Sequence, residues 1–192
     1  MSAAEMACVV LASGLSERFG KTDKLCAELG GRPILSHVLD TAAELQFGEL
    51  FCVSQTQGKE GVTWVTNENP KYGQGHALRL GLKAVQDSGW SSCILMLGDM
   101  PLVSARHLKK MIEKTEIKQM LVSICGTTRM PPALFKRPAI DMVLEENSAI
   151  GGQILFERLN PETVQLSPEE AIDVDTPEDL VEVARIFMSR KR

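Results

Sequence analysis

Five short, mostly continuous apolar runs constrain the fold of this chain more than any other feature. They span Met6 to Ala12, Leu50 to Val53, Val62 to Thr66, Cys93 to Leu97 and Met120 to Cys125. A strand with one wet face alternates apolar and polar residues, so continuous runs predict strands covered on both faces. Between them the apolar residues recur at helical spacing: Ile34, Val38, Leu39 and Ala42; then Leu78, Leu82 and Val85; then Leu108, Met111 and Ile112. Alternating strands and helices predict an α/β fold, three-layer α/β/α, with a mixed, mostly parallel sheet. Ser104 is placed to cap the third helix. Thr176-Pro177-Glu178-Asp179 reads as the start of the last one, whose buried face is Leu180, Val183, Ala184 and Phe187. The stretch Gly126 to Pro138, with three prolines and little periodicity, reads as a loop or a small subdomain over the sheet.

At 192 residues and 44% hydrophobic composition, the chain can bury a full core without disulfides or a structural metal. No Gly/Ser linker, repeat or low-complexity tract interrupts it, which predicts a single domain over residues 1–192. The net charge of −4, with a short basic stretch at Arg190, Lys191 and Arg192, provides no broad cationic surface. Nucleic acid is therefore not an expected partner. Cys8, Cys26, Cys52, Cys93 and Cys125 are scattered, and three lie inside apolar runs, so they read as reduced core residues. With His37, His76 and His107 equally dispersed, no zinc site is expected. Met6 to Ala12 is too short for a signal peptide or a membrane span and no basic leader precedes it, so a cytoplasmic protein is expected.

The first strand runs into Leu11-Ala12-Ser13-Gly14-Leu15-Ser16-Glu17-Arg18-Phe19-Gly20-Lys21-Thr22-Asp23-Lys24. Small side chains let an anion approach backbone N–H groups, and Arg18 and Lys24 can neutralise its charge, which is the chemistry of a phosphate cradle. An ordinary turn with solvated cations is the alternative reading. The letters match neither G-x-G-x-x-G nor G-x-x-x-x-G-K-[ST]. Asp99, at the end of the Cys93 to Leu97 run, falls where open α/β sheets bind ligands, and can hold magnesium against phosphate oxygens. A turn residue before Pro101 is its plainer role.

Four segments, in order along nearly the whole chain, resemble the MobA-like nucleotidyltransferases. This family includes molybdenum cofactor guanylyltransferases and cytidylyltransferases and, more distantly, sugar-nucleotide and methylerythritol-phosphate cytidylyltransferases. The turn above is similar to L-A-A-G-x-S-x-R-x-G-x-x-K. Asn69-Pro70 with Gly73, Gly75, Leu78, Gly81 and Leu82 is similar to the N-P-x-x-x-x-G segment and its helix. Leu97-Gly98-Asp99-Met100-Pro101 matches G-D-x-P, and Asp173-Val174-Asp175-Thr176-Pro177-Glu178-Asp179-Leu180 matches D-x-D-T-P-E-D-L.

The resemblance implies a Rossmann-like nucleotide-diphospho-sugar transferase fold and attack by a substrate phosphate on the α-phosphorus of a nucleoside triphosphate, releasing pyrophosphate. Such transfer depends on positioning and charge neutralisation. The implied catalytic residues are Arg18, Lys24 and Asp99. Asp99 and Asp175 are the implied Mg2+ ligands, although Asp173 and Asp175 would equally serve to charge the start of the last helix. Implied nucleotide contacts are Leu11, Ala12, Ser13, Gly14, Ser16, Arg18, Lys24, Gly75, His76 and Leu78. His76 either touches the base or substrate, or is a solvated residue at a helix start.

Leu11-Ala12-Ser13-Gly14 is closer to the cytidylyl form L-A-A-G than to the guanylyl form L-A-G-G, which favours CTP over GTP. His76 and Ala77 stand where the cytidylyl branch has serines. On the acceptor side, Pro132-Ala133-Leu134-Phe135 is the clearest part of a match to G-x-x-G-x-P-x-L-F, while Ser148-Ala149-Ile150-Gly151 replaces G-D-x-G. The implied acceptor is a small phosphorylated molecule such as molybdopterin, with Arg129 available for an anionic group. A sugar- or polyol-phosphate acceptor is the alternative, and so is a nucleotide-binding regulator without turnover. The absence of the glycine fingerprint argues against a Rossmann oxidoreductase.

Overall fold

The first apolar run forms β1 (Ala7–Ala12), buried at every position. Its side chains divide between two cores by simple alternation: Cys8, Val10 and Ala12 face one, Ala7, Val9 and Leu11 the other. That two-sided burial is why the run carries no polar alternation. The computed structural model describes residues 2–16, 18–20, 23–114, 119–145 and 157–190. Ser148 to Gly151, Lys191 and Arg192, and Glu17, Lys21 and Thr22 of the cradle segment lie outside the described residues.

After β1 come a short hairpin, β2 (Glu28–Leu29) and β3 (Arg32–Pro33), and α1 (Ile34–Glu44). They lead to β4 (Glu49–Ser54) and β5 (Thr63–Thr66). Next are α2 (Gly73–Asp87), β6 (Ser92–Leu97) and α3 (Ala105–Glu113). A hairpin of β7 (Met120–Cys125) and β8 (Thr128–Lys136) runs into α4 (Arg137–Glu145). β9 (Glu162–Gln165) and α5 (Pro177–Ser189) follow.

The main sheet has seven strands in the order β5-β4-β1-β6-β8-β7-β9. β1 pairs in parallel with β4 on one side and β6 on the other, while β8 is antiparallel to both β6 and β7. The chain moves outward from β1 to β4 and β5, then returns through α2 to lay β6 on the opposite side of β1. The strand order therefore reverses at the β1–β6 pair, where the carboxyl ends of an open α/β sheet bind ligands.

Helices α1 and α3 cover one face through Val38, Leu39, Ala42, Leu108, Met111 and Ile112. Helices α2 and α4 cover the other through Ala77, Leu78, Leu82, Val85, Ala139, Ile140 and Val143. This is the expected mostly parallel three-layer α/β/α arrangement. α2 lies so close to the sheet that a Cβ at Gly81 would stand 2.5 Å from Val9 Cγ1 and 3.2 Å from Val53 Cγ2. A third cluster, Leu29, Ile34, Leu102, Val174, Val183 and Ile186, docks α5 and the β2–β3 hairpin beside the sheet. Cys8, Cys52 and Cys93 are buried as expected, whereas Cys26 is exposed.

Gly126 to Pro138 is not a loop or subdomain: most of it is β8, the reversed strand. Its prolines sit where a strand tolerates them. The β7–β8 register jumps from Val122↔Ala133 to Ser123↔Met130, so Pro131 and Pro132 fall in the irregularity and owe no N–H to the ladder. Gly126, at φ +60°, opens the two-residue connection between paired Cys125 and Thr128, which suits a type II′ hairpin turn. The Ser123 hydroxyl donates to Pro132 O at 2.7 Å inside the bulge. Among the described residues, no helix is long and apolar enough to cross a membrane.

Candidate active site

The carboxyl ends of β1 and β6 are tied together by Gly98 N–H donating to Leu11 O at 2.8 Å. A side chain at Gly98 would press on Leu11 O at 3.1 Å and Ala12 Cβ at 3.3 Å, so the small residue lets the two turns approach. Asp99 follows immediately. Its carbonyl accepts from Val174 N–H at 2.9 Å, and this long-range bond brings the segment before α5, with Asp175, alongside Asp99. Asp175 is further held by the cap of α5. Thr176 and Asp179 form a reciprocal capping box, and Asp179 Oδ2 also accepts from Asp175 N–H at 3.1 Å.

The third arm is the segment after β1. Ser16, with φ 54°, turns the chain through the left-handed region. Its hydroxyl donates to Asp23 Oδ1 at 3.0 Å and accepts from Lys24 N–H at 3.2 Å. Asp23 Oδ1 also accepts from Leu25 N–H, so one carboxylate closes the cradle and caps the turn carrying Lys24.

These arms converge on one charge cluster. Lys24 Nζ lies 2.7 Å from Asp99 Oδ2 and 2.6 Å from Asp175 Oδ1, and Arg18 Nη2 lies 2.6 Å from Asp175 Oδ2. The Lys24 side chain is only 9% exposed, whereas Arg18 is 74% exposed. Burial alone would lower the Lys24 ammonium, but the charges and hydrogen bonds of Asp99 and Asp175 outweigh it and hold the group above its ordinary value. Asp173 is pushed up, first by desolvation and then by the charges of Asp175 and Asp99.

Asp99 Oδ1 is buried and has no hydrogen-bond partner among the described residues. A buried anionic oxygen without a partner is costly unless a cation or donor completes it. Asp99 and Asp175 are thus the side chains able to hold a hard divalent ion. Among the described residues no cluster of three or more His, Cys, Asp or Glu forms a complete metal cage. A pair of carboxylates suits Mg2+, which keeps several waters and takes the rest of its oxygens from phosphate.

The cluster stands in a cleft of about 470 Å3. Leu11, Ser13, Gly14, Leu15, Ser16, Arg18 and Lys24 form one wall, Pro70, Lys71, Gly73, Gln74 and Ala77 the other, and Leu97, Asp99 and Asp175 the floor. Of the sequence-selected residues, Leu11, Ser13, Gly14, Ser16, Arg18, Lys24, Asp99 and Asp175 meet here. Gly75, His76 and Leu78 do not line this cleft. Leu78 is core, and His76 lies in a separate groove between α2 and α4, its ring edge-on to Tyr72 at 5.3 Å. Ala12 lines a smaller hollow behind the cradle with Ser54 and Thr56. Arg129 Nη2 is 3.5 Å from Asn160 Oδ1, away from the cluster.

Lys71 and Gln74 line the cleft without having been singled out in the sequence, although their place in the Asn69 to Gly75 segment was a usable signal. Asn67 carried no signal at all. It is 2% exposed, and it joins the two walls: Nδ2 donates to Ser13 Oγ at 2.9 Å, and Oδ1 accepts from Asn69 N–H at 3.1 Å.

Among curated relatives, the bifunctional protein GlmU of Janthinobacterium sp. (strain Marseille) is 25% identical over 179 residues, covering 87% of this chain and 39% of the relative. The chain thus spans well under half the length of that relative. Among solved structures, Rv0371c from Mycobacterium tuberculosis H37Rv superposes with TM-score 0.80 at 23% identity, covering 96% of this chain and 100% of the other. The same protein in complex with manganese gives TM-score 0.74 at 21% identity, covering 94% and 98%. Molybdopterin-guanine dinucleotide biosynthesis protein A from Archaeoglobus fulgidus gives 0.70 at 19% identity, covering 96% and 100%. The family model described as the MobA-like NTP transferase domain matches residues 8–163, a span that holds the cradle, Lys24 and Asp99, and the chain belongs to that nucleotidyltransferase family.

Proposed function

We propose that this chain transfers a nucleoside monophosphate, CMP from CTP, onto a small phosphorylated acceptor of the molybdopterin type, with release of pyrophosphate. The observation that carries the reading is the Lys24–Asp99–Asp175–Arg18 cluster at the strand-order reversal, with Asp99 Oδ1 buried and without a partner among the described residues. An acceptor phosphate oxygen attacks the α-phosphorus, the bond from that phosphorus to the bridging β-phosphate oxygen breaks, and pyrophosphate departs. The nucleophile is already ionised, so no general base is required.

Lys24 is positioned to exchange its carboxylate partners for phosphate oxygens and stabilise charge as the α-phosphate reacts. Arg18, exposed at the mouth, is suited to the leaving pyrophosphate. Small residues from Ser13 to Ser16 let backbone N–H groups approach the phosphates. Asp99 and Asp175 would hold Mg2+, which when bound supplies positive charge against the phosphate oxygens. The manganese complex of Rv0371c supports a divalent ion in this fold. The CTP preference rests on Leu11-Ala12-Ser13-Gly14.

A sugar- or polyol-phosphate acceptor is the second reading. It is favoured by the similarity to GlmU. The test is pyrophosphate release from CTP, GTP, ATP and UTP with Mg2+, against separate pterin-, sugar- and polyol-phosphate acceptors. Release with CTP and a pterin phosphate supports the first reading, and release only with a sugar or polyol phosphate the second. No release, with no magnesium-dependent thermal shift by any triphosphate, overturns both.

A further inference from the structure

Asp99 and Asp175 present two oxygens each, and the two cations of the cluster hold all but one of them. Lys24 Nζ bridges Asp99 Oδ2 at 2.7 Å and Asp175 Oδ1 at 2.6 Å, while Arg18 Nη2 takes Asp175 Oδ2 at 2.6 Å. The remaining oxygen, Asp99 Oδ1, is buried. An ammonium bridging one oxygen of each carboxylate stands where a divalent ion shared by the pair would stand, so Lys24 and the ion compete for one position. Charge works the same way: two cations already face the two carboxylates, which leaves little field to attract a free divalent ion. The backbone under Lys24 is fixed, because Asp23 caps its turn by accepting from Leu25 N–H at 3.0 Å. The side chain is not fixed in that way. Its four-carbon stem lets Nζ turn toward an anion in the cleft that Lys24 lines with Ser13 to Ser16, with the cradle left in place.

We infer that Lys24 is a built-in counter-ion that closes the metal position, and that a triphosphate opens it by drawing the ammonium onto its own oxygens. Metal and triphosphate then enter together, and a divalent ion alone binds weakly. This rests on the reading that the cleft takes a nucleoside triphosphate and that Asp99 and Asp175 hold the ion. The converse holds for a triphosphate without metal. Once Lys24 has turned to phosphate, Asp99 and Asp175 face each other and the phosphates with one cation fewer. The coupling is reciprocal, since each ligand raises the affinity of the other by the same factor. Arg18 does not share this role. It is 74% exposed and pairs with Asp175 rather than bridging both carboxylates, so an ion placed between them need not displace it.

The experiment titrates Mn2+ alone into the full chain and reads the free ion by electron paramagnetic resonance, for wild type, Lys24→Met, Arg18→Met and Lys24→Met/Asp99→Asn. Methionine keeps the length of Lys24 without its charge and leaves two buried carboxylates uncompensated, so Lys24→Met should bind Mn2+ tighter than wild type by about 30-fold or more. Arg18→Met removes one positive charge from the same Asp175 at an exposed pair, and should change Mn2+ affinity by less than about 5-fold. The double variant should return to the weak binding of wild type. Mn2+ should also raise the Tm of Lys24→Met by more than that of wild type. If Lys24→Met does not fold, as judged by circular dichroism, Lys24→Gln takes its place. Wild type that holds Mn2+ alone as tightly as the Lys24 variant, or an equal gain in Arg18→Met, overturns the inference. Calorimetry of CTP, GTP, ATP and UTP with Mg2+ on wild type judges the nucleotide reading separately: binding there leaves that reading intact when the inference fails, and no binding of any triphosphate overturns both.

Discussion

Lys24 Nζ meets Asp99 Oδ2 at 2.7 Å across 75 residues of sequence, and the same ammonium holds Asp175 Oδ1 at 2.6 Å. One cation therefore bridges two carboxylates, one from the middle of the chain and one from the segment before the last helix, and Arg18 supplies the second positive charge at Asp175. Because Lys24 is held above its ordinary value, its contribution to stability is complete below that value. It is lost only as pH rises through the raised one, so Lys24 stays charged throughout the neutral range.

Lys24→Ala should lower kcat by about 100-fold or more while changing nucleotide Kd by less than about 5-fold, since its contact tightens as the α-phosphate reacts. Single-turnover kinetics beside equilibrium binding checks this. Unchanged kcat with weakened binding would assign Lys24 to ground-state binding instead. Asp99→Asn, which keeps the shape but removes the charge, should abolish turnover without loss of the folded state.

Asp179 does not itself line the cleft, yet it accepts from the N–H groups of Asp175 and Thr176 and from the Thr176 hydroxyl. Asp179→Ala should cost about 1 kcal/mol as a lost helix cap. It should also lower kcat/KM by loosening Asp175. Urea unfolding and steady-state kinetics on the same preparation separate the two effects. A stability loss with unchanged kcat/KM would show that the cap does not position Asp175.

His107 is 3% exposed and its Nε2 lies 2.8 Å from Ser123 Oγ. The Ser123 proton goes to Pro132 O, so the imidazole must be the donor through Nε2–H. Burial lowers its pKa below 6.5, with Lys110 adding to the shift and Glu170 opposing it. Ser104 stands on the same helix turn and takes Glu170 through its hydroxyl. A histidine held neutral by the fold contributes stability that is fully present above 6.5 and declines as pH falls toward its lowered value. Thermal unfolding from pH 7.5 to pH 5 should therefore show an acid-side decline that is shallower in His107→Gln. Parallel profiles for the two proteins would remove His107 from the acid sensitivity.

Much of this architecture was legible in the sequence because two-sided burial leaves a local trace. β1, β4 and β6 are buried on both faces and so read as continuous apolar runs. The caps at Ser104 and Thr176 are local side-chain bonds to the next turn, at His107 N–H and Asp179 N–H, that need no distant partner. The cradle turn and Asp99 were visible for the same reason, since each occupies the end of one recognisable strand. What only the tertiary structure decided depends on partners far apart in the chain. β8 looked like a loop because its prolines are admissible only in the irregular pairing with β7. Asp175 is brought beside Asp99 by the Val174–Asp99 backbone bond and by Lys24, which holds both carboxylates. Asn67 takes its role from Ser13, 54 residues earlier. A sequence displays the bonds a residue makes to its own turn, whereas the side chains that share a buried cleft are selected by strand order and packing, which no local pattern records.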